Sequence, residues 1–213
     1  MSKRASPRAP AVRAVVFDIG GVMTRLNPPT EFFDTAAIEL IVPAIENLDA
    51  GEIDPESFIR HVAELSGKPA ALIARVFDEW IGEPYDGLDP LIDDLHAAGV
   101  TTACLSNTNA RHWRRLAGDA DALPPIDPHL PLDRLHHRFT SFELGRRKPL
   151  HDIYHHAAAL LALPASSILF FDDTEHNVHA ARDAGWLAEQ IDPDAETAPQ
   201  MRDHLSRHGV LPI

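Results

Sequence analysis

Apolar runs in this chain stop at residues able to do chemistry. "VRAVVF" ends at Asp18, "TTACL" at Ser106 followed by Asn107, and "SILFF" at the adjacent pair Asp172 and Asp173. A fourth candidate, Lys148, stands in "GRRKPLHDIY" directly before Pro149. Proline suits the first turn of a helix, which would leave the lysine at the helix's positive end. Together these are a carboxylate, a hydroxyl, an ammonium and an acid pair, a set suited to a phosphoryl group bound with a divalent cation. Asp172 and Asp173 can hold magnesium, which takes a few carboxylates and keeps several waters. Asp18 can attack as a nucleophile and pass through an aspartyl-phosphate. Ser106 and Lys148 can balance charge on the transferred group, which asks for positioning and electrostatics more than for covalent chemistry.

Each of these residues also has an ordinary role. An Asp after a strand caps a turn, Ser and Asn are turn formers, a lysine is a solvated charge, and an Asp before a helix is an N-cap. Adjacent carboxylates beside a buried strand nevertheless repel unless a cation or hydrogen bonds compensate. Gly20 and Gly21 can serve a backbone conformation closed to other residues. Of the 13 histidines, the adjacent pairs His136–His137 and His155–His156 would point about 100° apart on a helix. That is unlike the i, i+4 pair of a helix-borne zinc site, so zinc is not expected. Trp80, Trp113 and Trp186 read as packing anchors, and Cys104 as a buried structural thiol.

The elements that must position the candidates follow from periodicity. Residues 12–17, 101–106 and 167–171 read as buried strands, and the last runs into "DDTEHNVHAARDAG", a helix with Thr174 as N-cap and Gly185 as terminator. Alternating strands and helices predict an α/β fold with a doubly wound parallel sheet. In such sheets ligands collect at the carboxyl ends of the strands, where all the candidates fall. Residues 28–86 break the alternation with helical periodicity and no convincing strand. "DPESFIRHVAEL" has Asp54 as N-cap, Pro55 at the first helical position, and Phe58, Ile59, Val62 and Leu65 on one face. The expected division is a tail at 1–11 without order, an α/β core at 12–24 and 87–213, and a helical insertion at 25–86 over the sheet's C-terminal edge. "LDPLIDDLHAAG" returns the chain to the sheet as a helix capped by Asp89 and closed by Gly99. The proline- and acid-rich stretch 117–136 reads as an irregular surface excursion.

Composition limits the partners. The chain of 213 residues has a formal net charge of −13, and its first residues carry Lys3, Arg4, Arg8 and Arg13 with no acid, so the body is more acidic still. Such a body repels nucleic acid and anionic membranes. One cysteine excludes internal disulfide bracing and suits a reducing compartment. No run approaches the length of a membrane span, and "MSKRASPRAP" has no apolar segment behind its positive charges. These features predict a cytoplasmic protein, monomer or homodimer.

"VVFDIGGV", "CLSNTN", "GRRKP" and "LFFDDTEHNVHAARDAGW" occur in the order and spacing of the four motifs of the haloacid dehalogenase superfamily, which residues 12–191 resemble. The helical insertion after the first motif resembles the cap of the type-one-capped branch, subfamily IA. "LSNTN" and "FFDDTEHNVHAARDAGW" look similar to small-molecule phosphatases, including those acting on glucose 1-phosphate. The resemblance implies Asp18 as nucleophile and metal ligand, Ser106, Asn107 and Lys148 as phosphate-contacting groups, and Asp172, Asp173 and the Gly20 backbone carbonyl as magnesium ligands. It implies a magnesium-dependent phosphatase of a small phosphorylated metabolite, a sugar phosphate favoured. One departure stands out, because family phosphatases usually carry a second Asp two residues after the nucleophile, as acid and base, and here that residue is Gly20. A sugar 1-phosphate, whose leaving oxygen needs less help, fits that loss. His61, Glu64 and Asp78 in the insertion are candidates to replace the acid. The rival readings are a weakly active phosphometabolite-binding or regulatory protein and, with no need of metal, a 2-haloacid dehalogenase.

Overall fold

The computed structural model describes residues 12–28, 32–33, 35–119 and 130–212. The expected tail at 1–11 and residues 120–129 of the expected excursion lie outside the described residues. In chain order the elements are β1 (Ala14–Phe17), β2 (Thr24–Leu26), α1 (Thr35–Asp49), α2 (Pro55–Ser66), α3 (Ala70–Glu79), β3 (Ile81–Pro84), α4 (Leu88–Ala97), β4 (Thr101–Ser106) and α5 (Ala110–Leu116). After these come β5 (His137–Thr140), α6 (Ser141–Leu144), α7 (His151–Leu161), β6 (Ile168–Asp172), α8 (Glu175–Asp183), β7 (Leu187–Gln190) and α9 (Thr197–Arg207).

Five strands form a parallel sheet in the order β5-β4-β1-β6-β7. Alternate residues of β1 enter different cores: Val15 and Phe17 pack with α4 and α9 on one face, Ala14 and Val16 with α7 and α8 on the other. Burial on both faces is what makes the central strands read as unbroken apolar runs. The edge strands β5 and β7 went unseen in the sequence because "HRFT" and "LAEQ" expose Arg138 and Gln190 and carry no such run. The chain moves outward from β1 to β4 and β5, then returns to place β6 on the other side of β1. That reversal leaves a crevice at the carboxyl ends of β1 and β6, where Asp18 follows β1 and Asp172 ends β6.

Between β2 and β3 the helices α1, α2 and α3 share their own apolar cluster, in which Ile41, Leu48, Phe58, Val62, Ile73 and Phe77 meet. β2 and β3 pair antiparallel at the base of these helices, so the stretch expected to lack strands contains one, "IGEP", whose Gly82 and Pro84 hide it from a period-two pattern. Two helix details also differ. Asp54 caps α2 through its Oδ1, which accepts from Ser57 N at 2.9 Å, but Leu65 is 44% exposed instead of inward. α4 starts from Gly87, at φ +80, and Asp89 lies inside its first turn, paired with Arg134, not at the cap. The Cys104 thiol is fully buried, which pushes its pKa up to about 12 and leaves it a packing group.

Candidate active site

Asp18, Ser106, Lys148 and Asp173 line one cavity of about 240 Å³ together with Gly20, Asn107 and Thr174, and Asp172 lies behind it, paired with Lys148. The Lys148 ammonium is the centre of the constellation: its Nζ lies 2.9 Å from Asp18 Oδ1 and 2.6 Å from Asp172 Oδ2, with the side chain 1% exposed. Burial alone would lower the lysine's pKa, but the Asp172 and Asp18 carboxylates overcome it and hold the ammonium charged, well above the ordinary lysine value. Pro149 precedes α7 instead of entering it, and Leu150 is the residue at the cap, so Lys148 is fixed by ion pairs and not by a helix end.

Asp172 is fully buried and satisfied: Thr174 N donates to its Oδ1 at 2.8 Å, and Asn177 Nδ2 lies 3.0 and 3.2 Å from its two oxygens. Thr174 holds the N-terminal cap position of α8, but its hydroxyl donates to Asp173 Oδ1 at 3.2 Å and not to the helix. Asp18 Oδ1 accepts from Ile19 N at 2.7 Å in addition to Lys148. Burial raises the Asp18 carboxyl to about 7, Lys148 opposes the shift, and Asp172 and Asp173 add to it. The same burial, with Asp172, raises Asp173.

One oxygen from each of Asp18, Asp172 and Asp173 lies within 4.8 Å of the others, the one such acidic or metal-ligating group among the described residues. Ionised, three carboxylates against one ammonium leave two negative charges, the amount a divalent cation cancels. Hard carboxylate oxygens are the donors magnesium prefers, and the Gly20 carbonyl has no hydrogen-bond donor among the described residues. The donor set therefore fits magnesium. His96 and His136 instead bracket the Thr102 hydroxyl, each at 2.9 Å.

The two glycines differ. Gly21 has φ +71, and a Cβ there would sit 2.5 Å from Asp173 Oδ2, so any side chain would take the acid's place. Gly20 has no left-handed backbone, and a Cβ would meet only the tip of Leu26 at 3.0 Å. Conformation explains Gly21 and not Gly20.

Asn107 is committed to the backbone of Lys148: its Nδ2 donates to Lys148 O at 2.9 Å and its Oδ1 accepts from Lys148 N at 2.8 Å. Ser106 Oγ makes only a 3.5 Å approach to Asn107 O, which leaves the hydroxyl free for a ligand. None of His61, Glu64 and Asp78 lines the cavity. The first two are exposed on α2, and Asp78 is held by Arg111 through bonds of 2.6 and 2.7 Å. The carboxyl from the helices α1–α3 that does line it is Asp49, at the end of α1, whose side chain has no hydrogen-bond partner among the described residues. Burial pushes its pKa up to about 7 against the pull of Arg147 and Lys148. Sequence reasoning missed Asp49, which no local pattern marks. It also missed Asn177, although its place in the first turn of α8, just after the acid pair, was a readable signal.

The profile of the haloacid dehalogenase-like hydrolases matches residues 12–185. Sesquiterpene phosphatase astK of Aspergillus oryzae is 25% identical over 198 residues, covering 89% of this chain and 95% of that protein. A HAD family enzyme of Bacteroides thetaiotaomicron, solved in complex with magnesium and inorganic phosphate, superposes with a TM-score of 0.71 at 22% identity, over 90% of this chain and 100% of that one. A predicted HAD-like family hydrolase from Porphyromonas gingivalis gives a TM-score of 0.73 at 25% identity, over 92% and 98%.

Proposed function

This chain belongs to the haloacid dehalogenase-like hydrolases, and within that family we propose that it is a magnesium-dependent phosphomonoester hydrolase acting through Asp18. The observation that carries the reading is the buried Lys148 ammonium shared by Asp18 and Asp172, with Asp173 completing a cluster whose charge calls for a divalent cation. The named activity of the Aspergillus relative and the magnesium and phosphate held by the Bacteroides enzyme agree with it. Magnesium, held by Asp18, Asp172, Asp173 and the Gly20 carbonyl, supplies charge neutralisation on the phosphoryl oxygens.

Asp18 Oδ1 is held by Lys148 and Ile19 N, which leaves the other oxygen to attack phosphorus. The P–O bond to the alcohol breaks as the aspartyl-phosphate forms. Ser106 Oγ and Lys148 Nζ steady the transferred group, and Asn107 fixes Lys148 through its backbone. With Gly20 in place of a second Asp, Asp49 is the carboxyl that gives a proton to the departing oxygen. As carboxylate it then takes a proton from the water that hydrolyses the acyl-phosphate, a role its pKa of about 7 suits. Residues 25–86 serve as the cap that sets specificity, over a core at 12–24 and 87–213.

The test is phosphate release from 4-nitrophenyl phosphate and a panel of phosphate esters, with magnesium or EDTA, by the wild type and Asp18→Asn. Turnover that needs metal and vanishes in the variant is expected; metal-independent release, or full activity in the variant, overturns the reading. Gly20 favours a second reading, a phosphometabolite-binding protein with little turnover, which tight binding of esters without hydrolysis would establish. Dehalogenation is disfavoured by the acidic cluster, which would repel a 2-haloacid's own carboxylate. A sugar phosphate needs partners for its hydroxyls, and beside Thr108, Asn109 and His112 the phosphate cavity is lined by Leu26, Ile45, Leu48, Phe77, Trp80 and Ile81.

A further inference from the structure

A second cavity, of about 290 Å³, lies inside the α1–α3 helices. Its walls are apolar throughout the described residues, and Ile41, Val62, Ile73 and Val76 form its floor. Ile45, Phe77 and Trp80 line both this cavity and the phosphate cavity, so the two spaces adjoin along shared apolar side chains. At the outer end Ile38 and Val42 of α1 are 39% and 44% exposed. An open cleft walled by aliphatic and aromatic side chains offers water no hydrogen-bond partners and favours an apolar occupant.

Resting on the phosphatase reading above, we propose that the substrate is the phosphate monoester of a long apolar alcohol, whose hydrocarbon chain occupies the cavity within α1–α3 while its phosphate lies at Asp18. The partition of chemistry carries the assignment. Charged and hydrogen-bonding groups are gathered at the Asp18 end, whereas the adjoining space offers no polar side chain to a sugar ring. The volume equals that of about ten water molecules in the liquid, room for roughly as many methylene groups. Ile45, Phe77 and Trp80 are then the specificity-determining residues at the joint, and they flank the alcohol's first carbons.

The inference is tested with n-alkyl phosphates from butyl to decyl, each kept below its critical micelle concentration, beside glucose 1-phosphate and 4-nitrophenyl phosphate. Burial of each added methylene should raise kcat/KM about fourfold at most, so decyl phosphate should exceed butyl phosphate by about 100-fold or more. Metal-dependent turnover with no dependence on chain length would overturn the apolar-tail assignment and leave the phosphatase reading standing. Absence of turnover for every ester would overturn the phosphatase reading. The tail site is then read directly by calorimetry on the Asp18→Asn protein: decyl phosphate should bind about 100-fold more tightly than butyl phosphate, and equal affinities would overturn the assignment. Val76→Phe, which fills the floor, should lower the decyl-to-butyl ratio of kcat/KM at least about tenfold. Should that variant fold poorly, Val42→Asp at the exposed mouth should lower the same ratio, and an unchanged ratio in both would count against the proposal.

Discussion

Gly20 and Asp49 carry opposite halves of one question: where the proton for the departing oxygen comes from. At position 20 the backbone is open to any L-residue and the obstacle is the movable tip of Leu26, so an acid can be reinstated there. Asp49→Asn should lower kcat/KM for an alkyl phosphate about 100-fold or more, and by much less for 4-nitrophenyl phosphate, whose leaving group needs no acid. It should also alter the pH-rate profile near 7, a region where Asp18 titrates too. Gly20→Asp in the Asp49→Asn background should recover a large part of the alkyl phosphate loss. Unchanged alkyl phosphate kinetics in Asp49→Asn would remove Asp49 from the acid-base role.

The joint between α3 and α5 sets how the helices over the crevice meet the sheet. Arg111 of α5 makes a two-point ion pair with Asp78 of α3, and its neighbour His112 places Nε2 2.8 Å from Phe77 O. Phe77 also stacks on the His112 ring, with centroids 4.1 Å apart, and lines both cavities, so this joint positions a residue proposed to set specificity. Burial depresses the His112 pKa to about 4, which keeps the ring neutral at working pH. A charge-assisted pair that is partly exposed contributes modestly. Arg111→Ala should therefore cost about 1 to 2 kcal/mol in urea unfolding and raise KM for long-chain esters more than it lowers kcat. No change in either quantity would show that the joint does not hold α3.

Across the whole molecule, stability is linked to the metal through Asp18. Because its folded pKa is raised to about 7, the metal-free chain keeps this group's contribution below the unfolded value near 4 and loses it as pH rises through about 7. Magnesium binds the ionised form, so the rise in melting temperature on adding magnesium should be larger at pH 8 than at pH 5, and Asp18→Asn should flatten that dependence. An equal rise at both pH values would contradict the linkage. By itself the sequence determined the buried strands β1, β4 and β6, the alternation that makes a parallel sheet, and the chemical types of the residues at the strand ends. Local periodicity and burial on both faces are written in consecutive residues, and so is the pairing of Asp172 with Asp173. Only the tertiary structure decided the rest: that Lys148 bridges Asp18 and Asp172, that Asn107 grips its backbone, that Asp49 and not His61, Glu64 or Asp78 faces the cavity, and that an apolar chamber adjoins the phosphate site. Those relations join residues tens of positions apart, and their distances are set by how helices pack over the sheet, which no local pattern encodes.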